Sequence, residues 1–370
     1  MGRKRTVLLE FNSQIDSLEK KKLRDGLSTV LQIGSSLWLA NDEMLSLERL
    51  TYQGLSAADE FVFADHQRFV LNDLLNLPAP PTSSQKFEEA DIEGLAYDEA
   101  EGYLWLIGSH SLKRKQADEK KSAAENIERL GKVSSDGNRY LLARIPVVEQ
   151  NGTFSLLRET PDSQRTAARL HGQQSWNELT DALKDDDHLR DFFAIPGKDN
   201  GFDIEGLAVC GTRLFIGLRG PVLRGWAIIL EVEPVVDGDD SRSLKLGKIG
   251  EGGRRYLKHF IQLGGLGIRD LCVQGRDLLI LAGPTMDLDG PVTVSRWPNG
   301  VHTTGDSVVF SEALETVRDI PFGRGSDHAE GLSLFSIADL PGPSILVVYD
   351  APDDHRKGED GRVQADVFEL

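Results

Sequence analysis

DIEGLAYDEAEGYLWLIGSH, residues 91–110, decides the fold, because a closely similar segment, DIEGLAVCGTRLFIGLRGP, returns at residues 203–221. Each segment has the pattern of an apolar strand, a tight turn and a second apolar strand. Weaker copies of this pattern begin at Arg24, Gly267 and His328. Internal repeats separated by such distances are typical of architectures in which one β-unit recurs around an axis or along a stack.

Further strand-like runs after each copy indicate units of four strands. The positions taken as equivalent in the five units are Gly26, Gly94, Gly206, Asp270 and Gly331. The fourth strands are assigned to TFSLLRE (153–159), SLKLGKIG (243–250) and DSVVF (306–310). One strand is missing from the last unit, whereas RTVLLEF at residues 5–11 has no unit of its own. Pairing the two would close a ring and remove open sheet edges. The sequence therefore predicts an all-β fold, a five-bladed β-propeller in one domain over residues 1–370, with six blades or two packed β-domains as alternatives.

Two insertions interrupt the repeats, and both are predicted to be helical. Residues 111–132 contain strong helix formers with only a thin apolar stripe, which is typical of a solvated helix. Residues 161–200 contain more apolar side chains, and Ser175 followed by Glu178 has the spacing of a capping box. The long loops all fall on one face of the predicted propeller, so we expect the insertions to form a lid on that face, which carries the function.

Charged and polar side chains recur where strands meet this face. The starts of the inner strands contribute Arg24, Asp25, Asp91, Glu93, Asp203, Glu205, Arg269, Asp270, Asp327, His328 and Glu330. The ends of the second strands contribute Asn41, Asp42, Ser109, His110, Arg219, Thr285, Asp287 and Asp350. Carboxylates gathered in this way repel one another, so a cation, a proton or an arginine must relieve the repulsion.

Three functions follow from these three ways of relieving the repulsion. In the first, Ca²⁺ or Mg²⁺ binds and His110 or His328 acts as a base; the metal ligands are Asp91, Glu93, Asp203, Glu205 and Glu330. In the second, Arg24, Arg219 and Arg269 neutralise the carboxylates in a purely structural ion-pair ring. In the third, the lidded mouth binds an unknown protein partner or a small anionic ligand through Lys113, Arg114, Arg219, Arg269 and Asp350.

Composition excludes several classes of protein. The 370 residues contain 42 Lys and Arg against 59 Asp and Glu, a net charge of −17, so neither nucleic acid nor a membrane surface is expected as a partner. The two cysteines, Cys210 and Cys272, favour a reducing compartment and argue against zinc. No phosphate-binding glycine motif or secretory segment is recognisable. We therefore expect a cytoplasmic monomer without a nucleotide cofactor.

The repeated DIEGLAYD and DIEGLAV, with HAEGLSLF at residues 328–335, resemble strands of a bacterial propeller family known as domain of unknown function 3616. That resemblance covers residues 5–370 and implies the fold but no activity. More distantly, the acid-x-Glu-Gly step is similar to that of phytase-like esterase propellers. This second resemblance implies a Ca²⁺- or Mg²⁺-dependent phosphoesterase, esterase or lactonase with Asp91, Glu93, Asp203 and Glu205 at the channel mouth. Arg269-Asp270 and Asp25-Gly26 depart from the motif.

Overall fold

The computed structural model describes residues 5–16, 22–81, 89–286, 288–338, 340 and 342–370. Strands dominate this part of the chain, and its α-helices are short: α1 (Ser13–Asp16), α2 (Leu71–Leu74), α3 (Ala123–Leu130) and α4 (Glu178–Leu183). No helix in the described ranges is long and apolar enough to cross a membrane. The strands are β1 (Arg5–Glu10), β2 (Leu27–Ile33), β3 (Ser36–Asn41), β4 (Ser46–Leu55), β5 (Phe61–Val70), β6 (Ile92–Asp98), β7 (Tyr103–Gly108), β8 (Lys113–Arg114), β9 (Val133–Ser134), β10 (Leu142–Gln150), β11 (Thr153–Leu156), β12 (Ala168–Leu170), β13 (Gly172–Gln173), β14 (Trp176–Asn177), β15 (Asp203–Cys210), β16 (Arg213–Gly220), β17 (Trp226–Val232), β18 (Pro234–Asp237), β19 (Asp240–Leu246), β20 (Tyr256–Gln262), β21 (Gly267–Gln274), β22 (Asp277–Gly283), β23 (Val292–Trp297), β24 (Ser307–Val309), β25 (Glu315–Ile320), β26 (His328–Phe335), β27 (Ser344–Asp350) and β28 (Arg362–Glu369).

The first strand of each repeat lies innermost, and these strands contact one another in a ring. The order is β2, β6, β15, β21 and β26, with β26 returning to contact β2. Antiparallel strands extend each sheet outward: β3 to β5 behind β2, then β7, β10 and β12 behind β6, then β16, β17 and β20 behind β15. The remaining sheets continue with β22, β23 and β25 behind β21, and with β27, β28 and β1 behind β26. This arrangement confirms the predicted propeller fold.

The N-terminal strand pairs where the sequence predicts. β1 runs antiparallel to β28, with Arg5 opposite Val367 and Glu10 opposite Arg362. On its other side β1 runs parallel to β5, so that the first and last units form one eight-stranded sheet. Val7 and Leu9 of β1 are fully buried in the same apolar cluster as strands of both units, which fixes the register of the pairing.

The outermost strands differ from the predicted assignment. TFSLLRE contains β11, a hairpin partner of β10, while β12 is the strand that extends this sheet. SLKLGKIG overlaps β19, which runs parallel to β12 of the preceding sheet, and DSVVF contains β24, which runs parallel to β20. The fourth strands of the third and fourth units are instead β20 and β25. An open sheet edge accepts any nearby extended segment, and apolar alternation alone does not say which edge a segment joins.

The two insertions are less helical than predicted. Residues 161–200 contribute β12 and the β13–β14 hairpin before the short α4, and Leu179, Leu183 and Leu189 are buried in the core as expected for a docked segment. The predicted Ser175 capping box is wrong: the N-cap is Asn177, whose side chain accepts hydrogen bonds from the backbone N–H groups of Leu179 and Thr180. The β13–β14 turn places Ser175 before the helix starts. In residues 111–132 only α3 is an α-helix, and none of its residues is buried.

Candidate functional site

Each inner strand carries a β-bulge close to its start. The register skips Ser28 in β2, Glu93 in β6, Glu205 in β15, Arg269 in β21 and Glu330 in β26. A bulge leaves one residue out of the ladder and redirects its side chain. The repeat therefore brings the same structural position of every inner strand to one end of the ring, with glutamate at three of these positions.

The bulges correct the predicted alignment of the first unit. The residue after the bulge is Thr29, so Thr29 and not Gly26 is equivalent to Gly94, and Asp25 has no counterpart among the bulged glutamates. Ser28 occupies the bulge and donates a hydrogen bond to the carbonyl of Ile92 over 2.5 Å. A carboxylate consequently does not recur in every unit at this position.

Glycine follows each bulged glutamate because the inner strands pack closely. A Cβ at Gly94 would lie 2.6 Å from Cβ of Leu207 on the next inner strand, and one at Gly331 would lie 2.8 Å from the backbone nitrogen of Val30. Contacts this short are not tolerated in proteins without movement of a neighbouring backbone. The Glu-Gly step thus combines a crowded position with a side chain directed to the mouth.

A cavity of about 470 Å³ opens at this end of the ring and is called the mouth cavity below. Its lining includes all five predicted metal ligands and four of the predicted contact residues: Asp91, Glu93, Asp203, Glu205, Glu330, Arg219, Asp350, Lys113 and Arg114. The lining also includes Asp42, which the sequence places at the end of a second strand. The other lining residues are ones that the repeat pattern did not single out: Glu43, Glu89, Ser111, Leu112, Lys115, Gln116, Leu130, Arg139, Lys198 and Asp199. The strand ends and the insertion at residues 111–116 therefore meet around one space.

Two predicted arginines neutralise part of the acidic ring. Nη1 of Arg219 lies 2.6 Å from Oε1 of Glu205 and 3.9 Å from Oδ2 of Asp203. Nη1 of Arg269 donates to Glu205 over 2.9 Å and to Glu330 over 2.8 Å. Glu205 is thus held between two guanidinium groups, as the ion-pair interpretation expects. Arg24 does not take part: it donates over 2.7 Å to the carbonyl of Gly358, away from this cluster.

Arg139 is a functional candidate that the sequence analysis missed. Its Nη1 lies 2.6 Å from Oδ2 of Asp91 and donates to the hydroxyl of Ser111 over 3.0 Å. The side chain is buried, and it follows the inserted helix at a place that has no counterpart in the other repeats. In the sequence, the only sign that Arg139 is a functional candidate is its position beside the long loop on the functional face.

Glu93 differs from its neighbours because its carboxyl group makes no hydrogen bond and no ion pair with any described residue. Burial raises its pKa well above the usual range, and the nearby charges of Asp91, Glu205 and Glu330 raise it further. The ring thus sets five carboxyl groups, those of Asp91, Glu93, Asp203, Glu205 and Glu330, against the three arginines 139, 219 and 269. Among these five carboxyl groups, that of Glu93 is the one that no described arginine pairs with.

Two other carboxyl groups of the mouth cavity also hold protons near neutral pH. Burial raises the pKa of Asp203 to about 7 although Arg219 opposes the shift. Burial and the neighbouring Asp350 raise the pKa of Glu330 to about 8, against the effect of Arg269. Protonation therefore relieves the repulsion that the arginines leave uncompensated.

No set of three or more His, Cys, Asp or Glu side chains in the described ranges is arranged to hold a metal ion. Arg219 and Arg269 lie between several of the predicted ligands. The Ca²⁺ or Mg²⁺ ion expected from the acidic ring stays a prediction.

His110 is buried beside the mouth cavity but does not line it. Nδ1 donates to the carbonyl of Gly108 over 2.7 Å, and Nε2 accepts from the amide of Asn177 over 2.6 Å. Burial lowers its pKa to about 4, so it is neutral at pH 7. His110 therefore connects β7 to the N-cap of α4, and with both ring nitrogens occupied it is poorly placed to move a proton in the cavity.

The remaining predicted residues lie around the cavity or outside it. His328 is outside the lining and pairs with Asp289 over 3.2 Å. Asp270 is buried and accepts hydrogen bonds from the backbone N–H groups of Leu271 and Leu332, which ties β21 to β26. Asp287 lies outside the described residues.

Comparison with known proteins identifies one family. The model of the family described as "Protein of unknown function (DUF3616)" matches residues 26–366. No curated protein matches the chain.

Solved structures that match the chain do so at low similarity. Glutaminyl cyclase from Myxococcus xanthus is 11% identical, with 99% of each chain covered and a TM-score of 0.36. The Cps50 β-propeller domain from Myceliophteria thermophila is 9% identical over 94% of this chain and 97% of that one, with a TM-score of 0.28. Hydrazine synthase from Kuenenia stuttgartiensis is 9% identical over 90% of this chain, with a TM-score of 0.33, and the chain spans 58% of its length. Likenesses at this level carry no argument about activity.

Proposed function

We propose that this chain, which belongs to the DUF3616 family, binds a small polar ligand in the mouth cavity of a five-bladed propeller. The observation that carries the proposal is the unpartnered carboxyl group of Glu93 in a cavity whose other inner carboxylates meet arginines. A polar group left without a partner in a partly buried site is costly, and a ligand that pairs with it recovers that cost.

The charges around the cavity suggest the chemistry of the ligand. The inner strands supply mainly acids, whereas the insertions supply Lys113, Arg114, Lys115 and Lys198. Lys113 already pairs with Glu89 and Arg114 with Asp199. Lys115 and Lys198 make no hydrogen bond or ion pair through their side chains in the described part of the chain. A ligand with an anionic group toward these lysines and hydroxyl groups toward Glu93 fits this distribution.

Sugar phosphates are suitable probes, because they carry both groups, and the parent sugars and inorganic phosphate serve as comparisons. A ligand at about 100 times its Kd stabilises the folded protein by about 2.7 kcal/mol, which thermal melting detects. We expect stabilisation by a sugar phosphate that is weakened by Glu93→Gln and by Lys115→Glu. Glu312→Gln, which changes an exposed residue outside the cavity lining, is the matched control. Equal melting curves for all probes would contradict binding of this class.

A second candidate function is hydrolysis, favoured by the different surroundings of adjacent carboxyl groups. Glu205 lies between two guanidinium groups, whereas Glu93 and Glu330 have raised pKa values. A protonated acid beside an ionised carboxylate is the usual arrangement for general acid and base catalysis. A divalent ion bound to the same carboxylates would add electrophilic assistance, as the phytase-like resemblance implies.

The hydrolase alternative is tested with p-nitrophenyl phosphate and a simple lactone, each with and without Ca²⁺ or Mg²⁺. If it is correct, turnover depends on the ion and falls by about 100-fold or more in Glu93→Gln, the range expected for loss of a general acid. The absence of turnover, together with melting that neither ion shifts, would exclude it. Binding of a sugar phosphate without turnover would leave ligand binding as the remaining proposed function.

A further inference from the structure

A second cluster of buried polar groups lies away from the mouth cavity, at the outer edge of the sheet that begins with β15. It consists of Glu231 on β17, His259 on β20 and Ser307 on β24. β20 pairs with β17 on one side and with β24 on the other, and His259 is directly opposite Ser307 in the parallel pair. Three neighbouring strands thus bring together a carboxylate, an imidazole and a hydroxyl group.

The hydrogen bonds join these groups in one chain. Nε2 of His259 lies 3.1 Å from Oε2 of Glu231, and Nδ1 lies 2.8 Å from Oγ of Ser307. An ionised carboxylate can only accept, so in the neutral imidazole the proton is on Nε2 and Nδ1 accepts the proton of the serine hydroxyl. This is the order of donors that activates a serine nucleophile, with the two ring nitrogens exchanged relative to the familiar protease arrangement.

The surroundings hold the carboxylate in its ionised form. The hydroxyl of Thr303 donates to Glu231 over 2.7 Å, and Nη1 of Arg213 lies 3.6 Å from the same carboxylate. Burial acts to raise the pKa of Glu231, but the hydrogen bonds from His259 and Thr303 outweigh it, and the pKa is lowered. The acceptor that orients the imidazole is therefore charged at neutral pH.

Burial decreases along this row of hydrogen-bonded side chains, from Glu231 and His259 to Ser307, as a nucleophile requires. His259 is fully buried and packs against Trp297 with 5.4 Å between ring centroids, which fixes the imidazole plane. Ser307 is only half-buried, and it lies on β24, the outermost strand of its sheet. A reagent can approach the serine from the open edge of the sheet while the base stays shielded from water.

We propose that Ser307 is an activated nucleophile that accepts the acyl group of a small ester. Its Oγ forms a bond to the carbonyl carbon while the bond to the ester alkoxy group breaks. The serine proton passes to Nδ1 of His259 and from there to the departing alkoxide, so that an acyl-serine and an alcohol are formed. Water then attacks the acyl carbon while Nδ1 of His259 takes its proton. The bond between the acyl carbon and Oγ breaks, Oγ regains the proton from Nδ1, and the acid is released. This site is independent of the mouth cavity and of the function proposed for it.

A fluorophosphonate reagent tests the nucleophile directly, because attack of Ser307 on phosphorus expels fluoride and leaves a stable adduct. We expect mass spectrometry to find one adduct, located on the peptide that contains Ser307, and p-nitrophenyl acetate to release p-nitrophenol. Both signals should disappear in Ser307→Ala and persist in Ser311→Ala, a serine in the turn that follows β24. A folded wild-type chain without an adduct after prolonged incubation would overturn the proposal.

Glu231→Gln separates activation from a role in packing. The amide keeps the shape of the side chain but can donate to Nε2, which reverses the imidazole tautomer. Labelling should slow by about 100-fold or more while the circular dichroism spectrum is retained. Labelling at an unchanged rate would show that His259 does not activate the serine and would also overturn the proposal. Glu312→Gln, at an exposed residue outside the cluster, should label normally.

Discussion

Replacing Glu330 by Gln should change how the stability of the protein depends on pH. In the folded protein the pKa of Glu330 is raised to about 8. In the unfolded chain the pKa of a glutamate is about 4.3. As the pH rises between these values the unfolded chain loses its proton first, so the folded state is progressively destabilised. Gln has the same shape and does not titrate, so the variant should lack this contribution.

The size of the effect follows from the two pKa values. Each unit of difference corresponds to about 1.4 kcal/mol, so the full destabilisation above pH 8 is at most about 5 kcal/mol. Most of the interval is crossed between pH 5 and pH 7, where the same two values give about 2 to 3 kcal/mol. The amide can still accept the hydrogen bond that Arg269 donates to Oε1 of Glu330, so the variant keeps this contact.

Urea unfolding of the wild type and of Glu330→Gln at pH 5, 6, 7 and 8 measures this directly. The free energy of unfolding of the variant should rise relative to the wild type by about 2 to 3 kcal/mol from pH 5 to pH 7. Glu312→Gln is the control, because Glu312 is exposed and outside the mouth cavity. A difference between variant and wild type that stays constant over this pH range would refute the argument that burial keeps Glu330 protonated.

Three further substitutions test the architecture of the site. Gly94→Ala places a methyl group against the next inner strand and should cost about 1 to 3 kcal/mol in urea unfolding, whereas Gly305→Ala, where no atom lies within 4 Å, should cost much less. Asn177→Ala removes the N-cap of α4 and should lower the free energy of unfolding by about 1 to 2 kcal/mol; an unchanged value would deny the cap its role. Arg139→Gln leaves the buried carboxylate of Asp91 without its cation and should cost about 3 to 5 kcal/mol in urea unfolding at pH 7, while a variant of the exposed Arg276, Arg276→Gln, should unfold like the wild type.

The inner strands could be predicted because local and global signals agree there. DIEGLAYD and DIEGLAVC contain β6 and β15, and in both a run of buried residues, the crowded glycine and the glutamate occur together. The same segments also placed the acids of the mouth cavity, since equivalent strand ends in a ring must meet.

The first unit and the outer strands were harder, for two physical reasons. A bulge shifts which residue occupies the equivalent position, and no residue type marks a bulge in the sequence. The sequence pattern therefore places Gly26 at the position that Thr29 occupies. The segments containing β19 and β24 have ordinary strand patterns, and their partners are decided by which sheet edge is nearest in space. Arg139 lies outside the repeat, and its contact with Asp91 depends on the path of the insertion, which no periodicity describes.

The position of β1 between β28 and β5 has a consequence for how the protein acquires its shape. The seam joins residues 5–10 to residues 362–367, so it cannot form on the ribosome until the strand β28 has emerged. Until then the segments that will become its two sides have no shield against other nascent chains. Contacts between such distant positions also slow folding. Before β28 is available the sheets can form only an open arc, and the pairing of β1 with β28 closes it.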